Sequence, residues 1–125
     1  MMDVDDIKNI SNLIQDVEFK CADFKDSFKE IKPGDFAYLD PPYFPENGAS
    51  FVGYTKDGFN LDTHKSLFDE IKKLDSDNIK FVMSNSNVDY VKNIFENFNI
   101  NEITARRAIH SKKPDTKTKE VLIYN

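Results

Sequence analysis

Cysteine is almost absent from this sequence: Cys21 is its single thiol. One cysteine cannot close an internal disulfide or build a cysteine-based zinc site, which fits a reducing compartment. Histidine is nearly as scarce. His64 and His110 show no paired ligand spacing, so no metal is expected, and His64 reads as a residue on a helix surface. Glycine occurs only at Gly34, Gly48, Gly53 and Gly58, never as Gly-x-Gly. Long apolar runs are missing too. The longest, Phe36 to Leu39 and Val121 to Tyr124, are four residues each, against the roughly 20 that a membrane-spanning helix needs. The amino terminus, Met1-Met2-Asp3-Val4-Asp5-Asp6, is acidic where an export signal is basic and then apolar. The expectation is a cytoplasmic protein with no membrane partner.

What the chain does have is aromatic and aliphatic mass. Its 125 residues are 39% hydrophobic, with 11 Phe and 5 Tyr, enough for a real core and too much for a disordered chain. The length suggests one domain or a piece of one. The net charge of −5 alone counts against a nucleic-acid binder, but the charge is uneven. Between Ala105 and Lys119, six basic residues face the single acid Asp115, so this strip carries +5 and the remainder −10. Such a strip can meet phosphates locally, although most charge runs are only solvated.

The apolar pattern alternates between helical and extended periods. Val4, Ile7, Ile10, Ile14 and Val17 repeat at helical spacing, and Val17, Phe19 and Cys21 then alternate as a strand would. Phe24, Phe28 and Ile31 suggest a short helix, stopped by Lys32-Pro33-Gly34-Asp35. Phe36 to Leu39 reads as a strand buried on both faces. Residues 41 to 60 form a long connection of the kind that is usually functional or disordered. Asp62 or Thr63 is the expected cap of a helix bearing Leu67, Phe68, Ile71 and Leu74. Ile79 to Met83 is a strand, Val88 to Phe98 a helix, and about Ile100 to Ile109 and Val121 to Tyr124 two closing strands. The order αβαβαβαββ implies an α/β fold with a mostly parallel sheet and a final antiparallel strand. Ligands of such sheets lie beyond the carboxyl ends of the strands, where Asp23, Asp40 and Ser84-Asn85-Ser86 are expected.

Asp40-Pro41-Pro42-Tyr43 is the most informative stretch. Two prolines remove two backbone donors and hold the chain extended, fixing the Asp carboxylate, the Pro41 carbonyl and the Tyr ring relative to one another. An aromatic face stacks on a heterocycle, while two oxygens accept the hydrogens of an exocyclic amino group. A proline-stiffened turn with a packed tyrosine is the plainer alternative.

Leu39-Asp40-Pro41-Pro42-Tyr43-Phe44-Pro45 resembles the catalytic motif of DNA adenine methyltransferases of the Dam type. Ala49-Ser50-Phe51, residues 54 to 60, Ser84-Asn85-Ser86 and Ala105-Arg106-Arg107 are similar to the same family in the same order, over about residues 17 to 125. The resemblance implies a partial Rossmann-like S-adenosylmethionine-dependent methyltransferase fold and methyl transfer to adenine N6. It implies that the target adenine flips out of double-stranded DNA onto Asp40, Pro41, Pro42 and Tyr43. It likens Cys21-Ala22-Asp23-Phe24 to the segment whose Asp and Phe contact the cofactor's adenosine, whereas without it Asp23 reads as a helix cap and Phe24 as core. Arg106, Arg107 and Lys112 become candidate DNA phosphate contacts, although His110 stands where the family tends to carry Asn. Phe51, Tyr54 and Phe59 either order the loop over the base or pack.

This family also carries a Phe-x-Gly-x-Gly loop and a DNA-recognition domain ahead of the motif, and neither has a counterpart in this sequence. Residues 1 to 125 are therefore expected to be the carboxyl-terminal part of a methyltransferase catalytic domain. The absent strands should lie between the segments at 17 to 22 and 36 to 40, leaving exposed apolar edges, so that the isolated chain either pairs with itself or another polypeptide, such as one carrying the glycine-rich half, or is unstable. Two other readings stand beside a DNA adenine methyltransferase: a non-catalytic remnant or interaction module, and methylation of RNA or a protein glutamine. Glutamine enzymes more often begin the motif with Asn.

Overall fold

A computed structural model describes residues 3–46, 58–106 and 117–125, with side chains for all of these except 105, 106 and 117. Helices α1 (Val4–Leu13) and α2 (Phe24–Glu30) precede β1 (Phe36–Leu39); α3 (Leu61–Ser76), β2 (Lys80–Ser86), α4 (Asp89–Ile94), β3 (Asn99–Arg106) and β4 (Lys117–Tyr124) follow. Among the described residues no helix is long and apolar enough to cross a membrane.

The four strands make one sheet in the order β1-β2-β4-β3. The β1–β2 pair is parallel, and β4 lies antiparallel to both β2 and β3. The fold is thus mixed α/β, and the expectation of a mostly parallel sheet is corrected. The last strand doubles back into the sheet between β2 and β3, which turns two of the three pairings antiparallel. Antiparallel strands need no helical crossover, which is why the final ββ pair has none.

Strand alternation divides the sheet cleanly. Ala37, Phe81, Met83, Asn85, Val121 and Ile123 share one face and are buried. Over that face runs α3, whose His64, Leu67, Phe68, Ile71 and Leu74 repeat every three or four residues and are also buried. Phe68 meets Phe95, and Phe98 meets Phe81, tying the segment around α4 to the same side. The cap of α3 is Asn60, which accepts from the Thr63 amide at 2.9 Å, rather than Asp62 or Thr63.

Along β1 the opposite face is open. Phe36 and Tyr38 of β1 are 64% and 65% exposed, so β1 is not buried on both faces as its unbroken apolar run suggests. The helix at the amino terminus is also uncovered. Asp3 and Asp6 close a capping box that starts α1, yet none of its residues is buried. Val17 to Cys21 forms no strand, because an alternating pattern specifies an apolar side but not a hydrogen-bonding neighbour. Val17 and Phe19 are exposed.

Candidate active site

The strand β1 ends at Leu39, β2 ends at Ser86, and the antiparallel β4 begins close by, with Glu120 opposite Ser86. Asp40 to Pro45 therefore emerge at the carboxyl edge of the parallel pair, the edge predicted from the fold class. Asp40 is exposed and Tyr43 half-buried.

Each end of the motif is braced by a different strand. The Ser84 hydroxyl donates to Asp40 Oδ1 at 2.8 Å. The Tyr43 hydroxyl donates to Glu120 Oε2 at 3.2 Å. Next, the Phe44 amide donates to Asn85 Oδ1 at 2.9 Å, and the Ser86 hydroxyl donates to the Phe44 carbonyl at 2.6 Å. Ser84-Asn85-Ser86 lie within the last three positions of β2 rather than after the strand, and all three are buried. Polar side chains at a buried strand end must find partners, and the loop backbone and Asp40 provide them. Asn85 is fully buried. Asn85→Ala removes the Asn85 Oδ1 acceptor at 2.9 Å from the Phe44 amide, and we expect a loss of about 2 kcal/mol in chemical denaturation; a midpoint equal to the unsubstituted chain's contradicts this.

Burial raises the Tyr43 phenol above its ordinary value of 10.0, helped by the Glu120 and Asp40 charges and opposed by a Ser84 hydrogen bond. The hydroxyl therefore stays protonated near neutrality and acts as a donor. The prolines Pro41 and Pro42 are half-buried beside it.

Asp23 is the N-cap of α2 and accepts from the Lys25 amide at 2.9 Å. Phe24 stacks edgewise on Phe28 and lies 6.3 Å from Phe59. This is the capping-and-core geometry read from the sequence alone. Phe59 in turn meets His64 at 4.7 Å, and His64 meets Phe44 at 5.2 Å. A chain of rings thus links the start of α2 to the loop of Asp40, although no direct contact joins Asp23 to Asp40 among the described residues.

His64 corrects another expectation. It is 1% exposed, not on the helix surface, and burial lowers its pKa to about 4. Of the candidate phosphate contacts, Arg106 lies in β3, while its side chain and residues Arg107 and Lys112 fall outside the described residues. So do Phe51, Tyr54 and His110; Phe59 packs in the core. Sequence reading did not single out Glu120. Its signal was an acid after a run of lysines, at the start of an apolar strand.

Comparison with known proteins points the same way. Residues 2–109 match the family described as D12 class N6 adenine-specific DNA methyltransferase. Over its whole length the chain is 38% identical to Type II methyltransferase M.MjaIII of Methanocaldococcus jannaschii and 33% identical to Type II methyltransferase M1.LlaDCHI of Lactococcus lactis. It is 28% identical, over 94% of its length, to the Retron Ec67 DNA adenine methylase of Escherichia coli. The chain spans only 45%, 45% and 40% of these three relatives. With the family match covering most of its residues, this chain belongs to the D12 class of N6 adenine-specific DNA methyltransferases.

Proposed function

We propose that the chain is the carboxyl-terminal part of a methyltransferase catalytic domain that transfers a methyl group from S-adenosylmethionine to adenine N6 in double-stranded DNA, as in restriction-modification. It acts once joined to a segment supplying the glycine-rich loop. The observation that carries this reading is the placement of Asp40-Pro41-Pro42-Tyr43 at the exit of β1, carboxylate exposed and ring half-buried. The finer fold on this reading is a partial Rossmann-like methyltransferase sheet, which the family membership and the parallel β1–β2 pair support.

On this reading the adenine leaves the duplex, which costs a few kcal/mol. Stacking on Tyr43 offsets much of that, at roughly 1–3 kcal/mol per base. Asp40 and the Pro41 carbonyl accept the two amino hydrogens and so aim the nitrogen lone pair. Positioning, rather than a covalent intermediate, lowers the barrier. Asp23, exposed at the head of α2, Phe24 and Asp40 would hold one side of the cofactor. When bound, S-adenosylmethionine supplies an electrophilic methyl group. Arg106, Arg107 and Lys112 would contact phosphates.

The open face of β1 is where the missing segment would dock. Mixing the chain with a segment carrying Phe-x-Gly-x-Gly should give a complex that incorporates labelled methyl into DNA; a mixture that binds neither S-adenosylmethionine nor DNA favours a non-catalytic module. Burying Phe36 and Tyr38 stabilises such a complex by roughly 1.5–3 kcal/mol per side chain. We expect Phe36→Lys with Tyr38→Lys to weaken it at least about tenfold by sedimentation, and equal affinity argues against docking at β1. Without the segment the chain should self-associate. A stable, compact monomer in size-exclusion chromatography counts against this.

A further inference from the structure

We infer that Glu120 is a positioning residue for adenine, holding the Tyr43 ring in the place where a base stacks on it; this rests on the function proposed above. Two prolines stiffen the backbone of the motif, but they leave the tyrosine side chain free to turn about its own bonds. A ring fixed only at its Cβ end swings. The hydrogen bond from the Tyr43 hydroxyl to Glu120 Oε2, at 3.2 Å, fixes the far end. It spans 77 residues of sequence and exists only because β4 inserts beside β2, bringing Glu120 opposite Ser86.

The arrangement is specific in its chemistry. Glu120 is half-buried near the start of β4 and offers the phenol a charged acceptor, at a distance longer than the roughly 2.5–2.7 Å of a tight O–H···O⁻ bond. The phenol keeps its proton because burial and the adjoining carboxylates disfavour the phenolate. Meanwhile Ser84 fixes Asp40 from the neighbouring strand at 2.8 Å. Ser84 also hydrogen-bonds the Tyr43 phenol, so the two halves of the base cradle share that hydroxyl, and Glu120 adds a further brace on the stacking half. Glu120 does not touch the amino group in this scheme. Its effect passes through Tyr43, so it should show in how well the flipped base is held rather than in the transfer step.

The test uses the chain together with the segment that supplies the glycine-rich loop, on DNA lacking adenine methylation. Glu120→Ala should raise KM for DNA roughly three- to tenfold, the worth of one hydrogen bond, with kcat little changed. Glu120→Gln keeps an acceptor oxygen and should restore most of the loss. In a Tyr43→Phe background, Glu120→Ala should add nothing further. In parallel, the chain alone is labelled at the tyrosine Cζ carbons, and the Tyr43 resonance, identified by its loss in Tyr43→Phe, should move in Glu120→Ala.

An unmoved resonance overturns the contact itself. Unchanged KM, or an equal further loss in the Tyr43→Phe background, overturns the positioning role. Absence of methyl transfer by the unsubstituted mixture overturns the proposed function instead, a result separable from the resonance measurement.

Discussion

Replacing Asp40 with alanine is expected to cut methyl incorporation into DNA by at least about 100-fold while leaving the chain folded. Removing one preorganised hydrogen-bonding group from a reaction centre typically costs 10²–10³ in rate. Asp40 has that character here. Its carboxylate is exposed at the end of β1, and the Ser84 hydroxyl holds Oδ1 at 2.8 Å. The amino group of a flipped adenine then meets an oriented acceptor with no reorganisation left to make. Asp40→Asn keeps one acceptor oxygen and should lose less than Asp40→Ala. The structural cost is small, since the fold loses a single hydrogen bond of an exposed side chain, worth about 1 kcal/mol. Scintillation counting of labelled methyl, with thermal unfolding as the control, checks both halves. Activity of Asp40→Ala within a few-fold of the unsubstituted protein would end the assignment of Asp40.

Much of this site is legible in the order of the amino acids. A four-residue apolar run ending in Asp-Pro-Pro-Tyr marks a strand exit, because the prolines forbid the ladder from continuing. The stripe of Leu67, Phe68, Ile71 and Leu74 marks α3, since apolar residues recurring every three or four positions fall on one side of a helix and on no single side of a strand. Less legible are features that depend on distant neighbours. Val17 to Cys21 has the alternation of a strand but no partner here, so it forms none. Phe36 and Tyr38 look like core and are exposed, because hydrophobicity reports what a residue prefers and not what covers it. Glu120 meets Tyr43 only through the strand order, which local pattern does not encode. Asn60 outcompetes Asp62 and Thr63 as the cap of α3 through a choice of one turn, the scale at which pattern reading blurs.

His64 is where burial changes chemistry, and it makes the acid response of the fold predictable. It lies 1% exposed with the rings of Phe44, Phe59 and Phe68 around it. Taking imidazolium out of water is unfavourable, so burial lowers the pKa from 6.5 to about 4. The unfolded chain therefore takes up a proton that the folded chain refuses over this window. Stability linked to His64 is fully present above pH 6.5 and is lost progressively as the pH falls toward 4. The shift corresponds to about 3 kcal/mol across that range. Because Phe44 follows the motif directly, acid should loosen the Asp40 loop along with α3. His64→Phe removes the titrating group while keeping an aromatic ring in the slot. Other groups add an acid dependence common to both proteins, so the relevant quantity is the difference between them. Between pH 7 and pH 4.5 the unfolding free energy should fall by roughly 2 kcal/mol more in the unsubstituted chain than in His64→Phe. Equal losses in the two proteins would mean that the imidazole is already protonated, or solvated, in the folded state.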